Sequence, residues 1–143
     1  MPPPREESTD YDVELSGCDG TVSFINGRFR LQRGVTFNEH PTYKHVAVVP
    51  TGLGSLSGRP LYLYFHSLNR TWTVAMDVGS LEVIAFGVGD TDRPDLVQGH
   101  WYVSEAQEYH ISNTLVVREA APGLPIRAFH SSIFIISSLF SRR

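Results

Sequence analysis

The 143-residue sequence has a single cysteine, Cys18, so no disulfide can close within the chain. It has no uninterrupted apolar run of about 20 residues, the length that a membrane-spanning helix requires. Charge is sparse, at 19% of residues with a net of −3, which argues against a general nucleic-acid binder. The phosphate-binding Gly-Lys-Ser/Thr, the His-Glu-x-x-His or paired Cys/His zinc patterns, and the Gly-x-Ser-x-Gly elbow of serine hydrolases are all missing. Enzyme activity therefore has no positive support, and no cofactor or metal is implied. The opening residues, MPPPREESTD, have no apolar stretch of the kind found in a secretory signal. With one thiol, this leads us to expect a reducing, cytoplasmic setting. The sequon Asn69-Arg70-Thr71 is then expected to stay unmodified.

Glycine and proline are plentiful, at 12 and 9 residues, as in a chain of short strands joined by many turns. Charge is uneven. Residues 1–15 carry a net −4, and residues 118–143 a net +3. Residues 1–12 read as a disordered acidic and Pro-rich leader, residues 13–119 as a β domain, and residues 120–143 as an apolar, basic tail.

Residues 61–78, LYLYFHSLNRTWTVAMDV, organise the rest. Leu61, Leu63 and Phe65 alternate with Tyr62 and Tyr64, and Trp72, Val74, Met76 and Val78 alternate with Thr71, Thr73, Ala75 and Asp77. Period-two alternation of aromatic and β-branched residues marks a half-buried strand. Leu68-Asn69-Arg70 between the runs suits a hairpin loop. A buried Trp hides roughly 150–250 Å², so Trp72 is expected in the core.

Other strands are read from the same pattern. Asn26-Gly27 between Val22/Phe24 and Phe29/Leu31 is a hairpin signal, and the second arm is read as placing Arg28, Arg30 and Arg33 on one face. Residues 36–41 form a connector, residues 42–49 a strand, and residues 50–60 a Gly/Pro loop with Gly52, Gly54 and Gly58. Residues 81–88, 101–104 and 109–118 follow as strands. In the tail, Ile126, Phe129, Ile133, Ile136 and Phe140 recur at helical spacing, although Ile133-Phe134-Ile135-Ile136 also suits a strand. The expected fold is all-β: an antiparallel meander forming a sandwich or small barrel, with a short apolar C-terminal helix or strand.

Four constellations bear on chemistry. Tyr62, Tyr64, Tyr43 and Trp101, with Arg28 and Arg30, form the candidate binding surface, because aromatic rings offer contact area at low entropic cost. Tyr102 and Tyr109 could join it, or the tyrosines could form a second core face. Asp90, Asp92 and Asp95 share one loop, but the glycine and terminal Glu of a calcium-binding loop are absent. His66, Asp77 and His100 could form a hydrolytic site only if the fold assembles them. Gly52-Leu53-Gly54 follows an apolar strand but precedes another strand, where a dinucleotide site needs a helix.

Gly17, Asn26-Gly27 with Phe29, Pro41-Thr42-Tyr43, Leu61-Tyr62-Leu63-Tyr64, Trp72, and Trp101 before a closing apolar strand together resemble, in their order, a tryptophan-bearing β module of alveolate protist proteins. The resemblance covers about three quarters of the chain. It implies a compact β domain used for interaction within a larger protein, and it supplies no catalytic residues. The expected function is a non-enzymatic protein-interaction module, a structural or scaffold component of a cytoskeletal or other assembly. The alternative is a lectin-like or small-ligand-binding β domain. A protein partner is expected and nucleic acid is not, while the apolar tail ending in Arg142-Arg143 could touch an anionic membrane weakly.

Overall fold

The computed structural model describes residues 11–80 and 82–121. Nine strands follow in order: β1 (Val13–Ser16), β2 (Gly27–Phe37), β3 (His40–His45), β4 (Tyr62–His66), β5 (Thr71–Ala75), β6 (Val83–Val88), β7 (Trp101–Glu105), β8 (Glu108–Ser112) and β9 (Val116–Glu119). The helical segments among the described residues are three short 3₁₀ turns, Gly20–Ile25, Gly54–Leu56 and Pro94–Leu96. The strands form one antiparallel sheet, β8-β7-β6-β5-β4-β3-β2-β1-β9, curled into a half-barrel. It is a meander whose last strand returns to lie beside its first. The Gly20–Ile25 turn packs on β7, and β9 packs on the Pro94–Leu96 turn.

Alternation along the strands separates two faces. On the inner face, the register joins Leu31, Tyr43, Leu63, Val74, Ala85 and Val103 in one row across six strands. A second inner row joins Phe65, Trp72, Gly87 and Trp101. Trp72 is fully buried, with Phe65 edge-on at 5.6 Å and Tyr43 at 6.3 Å. Its indole N–H donates to the Thr91 hydroxyl at 3.0 Å and to the Thr91 carbonyl at 3.2 Å. One side chain thus fills the core and pins the loop between β6 and β7.

Asn26-Gly27 does not make a hairpin. Val22 and Phe24 lie in the first 3₁₀ turn, and Asn26 has extended backbone, φ −61° and ψ 147°. Its side-chain amide instead accepts from the Cys18 N–H at 2.9 Å and donates to the Cys18 carbonyl at 2.8 Å. Gly27 is needed because the His45 ring lies 3.0 Å from where a Cβ would sit. The connector expected at 36–41 is a hairpin tip, where Phe37 pairs with His40 through Asn38 and Glu39 at φ 53° and 66°. The register of β2 slips between Leu31 and Thr36, so the regular ladder that sets Arg28 and Arg30 on one face ends before Arg33. The strand read over 109–118 divides into β8 and β9. Tyr11 and Asp12, expected in the leader, belong to the folded part. Asp12 accepts from Arg28 Nε and from the Leu31 N–H, each at 2.9 Å. The leader's first ten residues and the apolar segment after residue 121 lie outside the described residues.

Candidate functional site

The outer face is built from the complementary rows. One joins Arg30, Lys44, Tyr62, Ala75 and Val83, a second joins Tyr64, Thr73, Phe86, Tyr102 and Ile111, and a third joins His66, Thr71 and Val88. Its two halves differ. Over β2–β4 it is polar and basic, with Lys44 5.7 Å from the Tyr62 ring centroid. Over β5–β8 it is apolar and aromatic. Phe86 stacks on Tyr102 at 4.9 Å and meets Tyr109 edge-on at 5.3 Å. Tyr109 reaches back across β7 to donate to the Val83 carbonyl at 2.7 Å.

Phe86 and Tyr109 help wall a groove of about 370 Å³, with Val83 and Val88 completing its apolar sides and His66, Asn69, Thr71 and Thr73 as its polar ones. That size falls within the roughly 300–1,000 Å³ of ligand sites. The two threonine hydroxyls satisfy one another at 3.0 Å, and Thr73 also donates to the Thr71 carbonyl at 3.2 Å. His66 is different. It is 8% exposed, and its Nδ1 is buried without a hydrogen-bond partner. A buried polar atom left unpaired costs about 1–3 kcal/mol, so His66, a residue of the groove's lining, carries an unmet hydrogen-bonding need. The groove's lining residues include no lysine, arginine, aspartate or glutamate.

The six residues of the sequence-derived surface are split between the two faces. Tyr62, Arg28 and Arg30 lie on the outer face, with Arg28 held by Asp12 and Arg30 exposed. Tyr64 faces outward but is fully buried beneath Phe37, whose ring is 5.6 Å away, and its hydroxyl donates to the Ser80 carbonyl at 2.7 Å. Burial, with a smaller contribution from the Asp77 charge, pushes the Tyr64 phenol up to about 12. Tyr43 and Trp101 are core residues, 0% and 5% exposed, and no surface includes them. Both occupy the inward phase of their strands, which period-two alternation alone leaves ambiguous when both faces are apolar. Burial, followed by the Asp95 charge, raises the Tyr43 phenol well above its ordinary range.

The hydrolytic trio is not assembled. His66 pairs with Thr71 at one end of the β4–β5 hairpin. Asp77 lies beyond the other end of β5, roughly 15 Å or more away at about 3.3 Å per residue. His100 precedes β7, three strands across from β4. Two of the three aspartates of the 89–100 loop have separate partners. Asp90 pairs with Arg70 and with His40, and Asp95 accepts from the Tyr11 hydroxyl at 3.0 Å and faces Arg93. No group of potential metal ligands occurs among the described residues. Gly52 and Gly54 lie in open space; Gly54 opens the three-residue 3₁₀ turn, and the loop then leads into β4, so no α-helix follows to hold a pyrophosphate. Among the described residues, no helix is long and apolar enough to cross a membrane.

Comparison with family models, curated proteins and solved structures gives no match. The site therefore rests on its own geometry. The sequence alone sets His66 in a hydrolytic trio and Tyr109 on a broad aromatic surface, and it does not reveal Thr71, Thr73, Val83, Phe86 and Val88 as their partners. The available signal was the outward phase of TWTVA and VIAFGV. Phe86, Thr71 and Thr73 fall on one face once Trp72 is set inside.

Proposed function

We propose that this chain is a non-enzymatic protein-interaction module, cytoplasmic and part of a larger assembly, that receives one neutral aromatic or aliphatic side chain of its partner in the outer-face groove. The observation that carries this reading is the unpartnered, buried His66 nitrogen beside a groove walled by Val83, Phe86, Val88 and Tyr109. Anchor side chains that fill such recesses dominate interface energetics, and aromatic ones are enriched among them. On this reading the imidazole turns about χ2 as the partner binds, so that its unpaired nitrogen meets the incoming group. Tryptophan or tyrosine suits the groove best, because each brings a ring for Phe86 and a polar hydrogen for the imidazole. The resemblance to the tryptophan-bearing interaction module supports the same reading. The groove volume also fits a small aromatic ligand, the second reading, which shares this chemistry.

A photo-crosslinking amino acid placed at Phe86, in the native cell, tests the proposal. A discrete adduct with a protein is expected from position 86, and none from Val116 on β9. Equal labelling from both positions, or none from position 86, would refute it.

A further inference from the structure

The geometry of β8 points to a second copy of this chain as its partner. We propose that two copies join edge to edge through β8, in antiparallel register about His110, to form one continuous sheet. Tyr109 belongs to both the groove and this edge, but the contact is made by the β8 backbone, so the proposal remains testable if the groove reading fails.

The argument begins at the β7–β8 turn. Ala106 and Gln107 both have left-handed backbone, φ 53° and 67°, and Glu105 pairs with Glu108. That is a two-residue type I′ hairpin, in which the closing pair shares both hydrogen bonds. Bonding then alternates along the ladder. Glu108, His110 and Ser112 spend their backbone groups on β7, so Tyr109 and Ile111 aim an N–H and a C=O each at the open edge. Among the described residues nothing pairs with that edge, whereas β9, at the other end of the sheet, packs on the Pro94–Leu96 turn. Exposed edges are ordinarily blunted by lysine, proline or a bulge, and β8, EYHIS, has none of these.

The strand is complementary to itself in one register. With a two-fold axis at His110, Tyr109 lies opposite Ile111 of the second copy, and the reverse. All four outward N–H and C=O pairs are then satisfied. Each copy's Tyr109 and Ile111, 47% and 46% exposed, form a cross-strand aromatic and β-branched pair on the outer face. Glu108 faces Ser112 of the second copy, so no like charges meet. Centring the axis on Tyr109 or Ile111 instead leaves outward groups unpaired. The two outer-face grooves then lie on one extended surface.

Sedimentation of the full chain is expected to show a dimer at about 100 μM, and Ile111→Pro a monomer, with association at least about tenfold weaker. Proline there removes an outward N–H and spares the β7 ladder. At the axis the His110 Cα atoms would lie about 4.5 Å apart, within disulfide reach. His110→Cys should therefore oxidise to a covalent dimer much faster than Glu108→Cys, while buried Cys18 stays reduced. A monomer at that concentration overturns the proposal. So does a dimer that tolerates Ile111→Pro and crosslinks no faster through position 110 than through 108, which would assign the contact to another surface.

Discussion

Gly87 sits between two tryptophans on the inner face, opposite Trp72 on one side and Trp101 on the other. A Cβ built on Gly87 would lie 2.5 Å from Trp101 Cε2 and 2.7 Å from Cδ2. That ring is 5% exposed and forms part of the core, so it has little room to yield. Overpacking of this kind costs about 1–3 kcal/mol. Replacing glycine in an ordinary extended conformation returns about 0.4–1 kcal/mol by restricting the unfolded chain. The net for Gly87→Ala is a loss of about 1–2 kcal/mol, or a fall in Tm of about 4–8 °C for a domain of this size. Urea unfolding followed by tryptophan fluorescence measures it. Trp101→Leu removes the opposing indole, so the double variant should recover most of the alanine's cost, with a coupling energy near 1 kcal/mol. A neutral or stabilising Gly87→Ala, or full additivity of the two substitutions, would refute the close approach of Trp101 to the β6 backbone.

Trp72→Phe deletes the indole N–H that holds Thr91, and should cost about 1–3 kcal/mol while amide exchange across residues 89–100 accelerates; protection unchanged in that loop would count against the pin. His66→Leu removes a buried, unpaired nitrogen and should leave stability unchanged or raise it by about 1 kcal/mol; a clear destabilisation would mean that the imidazole is satisfied in the folded chain. Alkaline pH should unfold the protein. Burial raises the Cys18 thiol from 9.0 to about 11, with Asp19 and Glu105 adding to the shift, and the Tyr64 phenol from 10.0 to about 12. Both groups hold protons in the fold that the unfolded chain releases. Their stability contribution is thus complete below the unfolded value and is lost as pH rises through the folded one. Urea midpoints should fall steadily between pH 9 and about 12, and a flat profile would contradict the burial of both groups.

Most of the sheet was legible in the sequence because its central strands alternate strictly. That Leu63, Phe65, Trp72 and Val74 share the core face follows from that pattern, whereas their pairing, Leu63 with Val74 and Phe65 with Trp72, depends on the turn and is seen only in the structure. The turns were less legible. Two tight hairpins use Asn38-Glu39 and Ala106-Gln107 at positive φ, and three of those four residues are poor turn signals. The one strong signal, Asn26-Gly27, serves a different need, with the amide clamping Cys18 and the glycine admitting His45. Tyr43 and Trp101 were placed on the surface because hydropathy does not say which face of a strand closes on the core when both are rich in rings. The groove was hidden for a topological reason. Its walls come from β4, β5, β6 and β8, and only the register shows that Tyr109 reaches back to Val83.

The most direct measurement of the central claim is a titration of the full chain with N-acetyltryptophan amide, followed by amide chemical shifts. Saturable changes are expected at Thr71, Thr73 and Val88, with a matching change at the His66 ring. His66→Leu should weaken binding by about fivefold, the equivalent of one hydrogen bond. Shifts that never saturate, or that map to the Arg30–Lys44–Tyr62 side of the face, would contradict the assignment of the groove as the binding site.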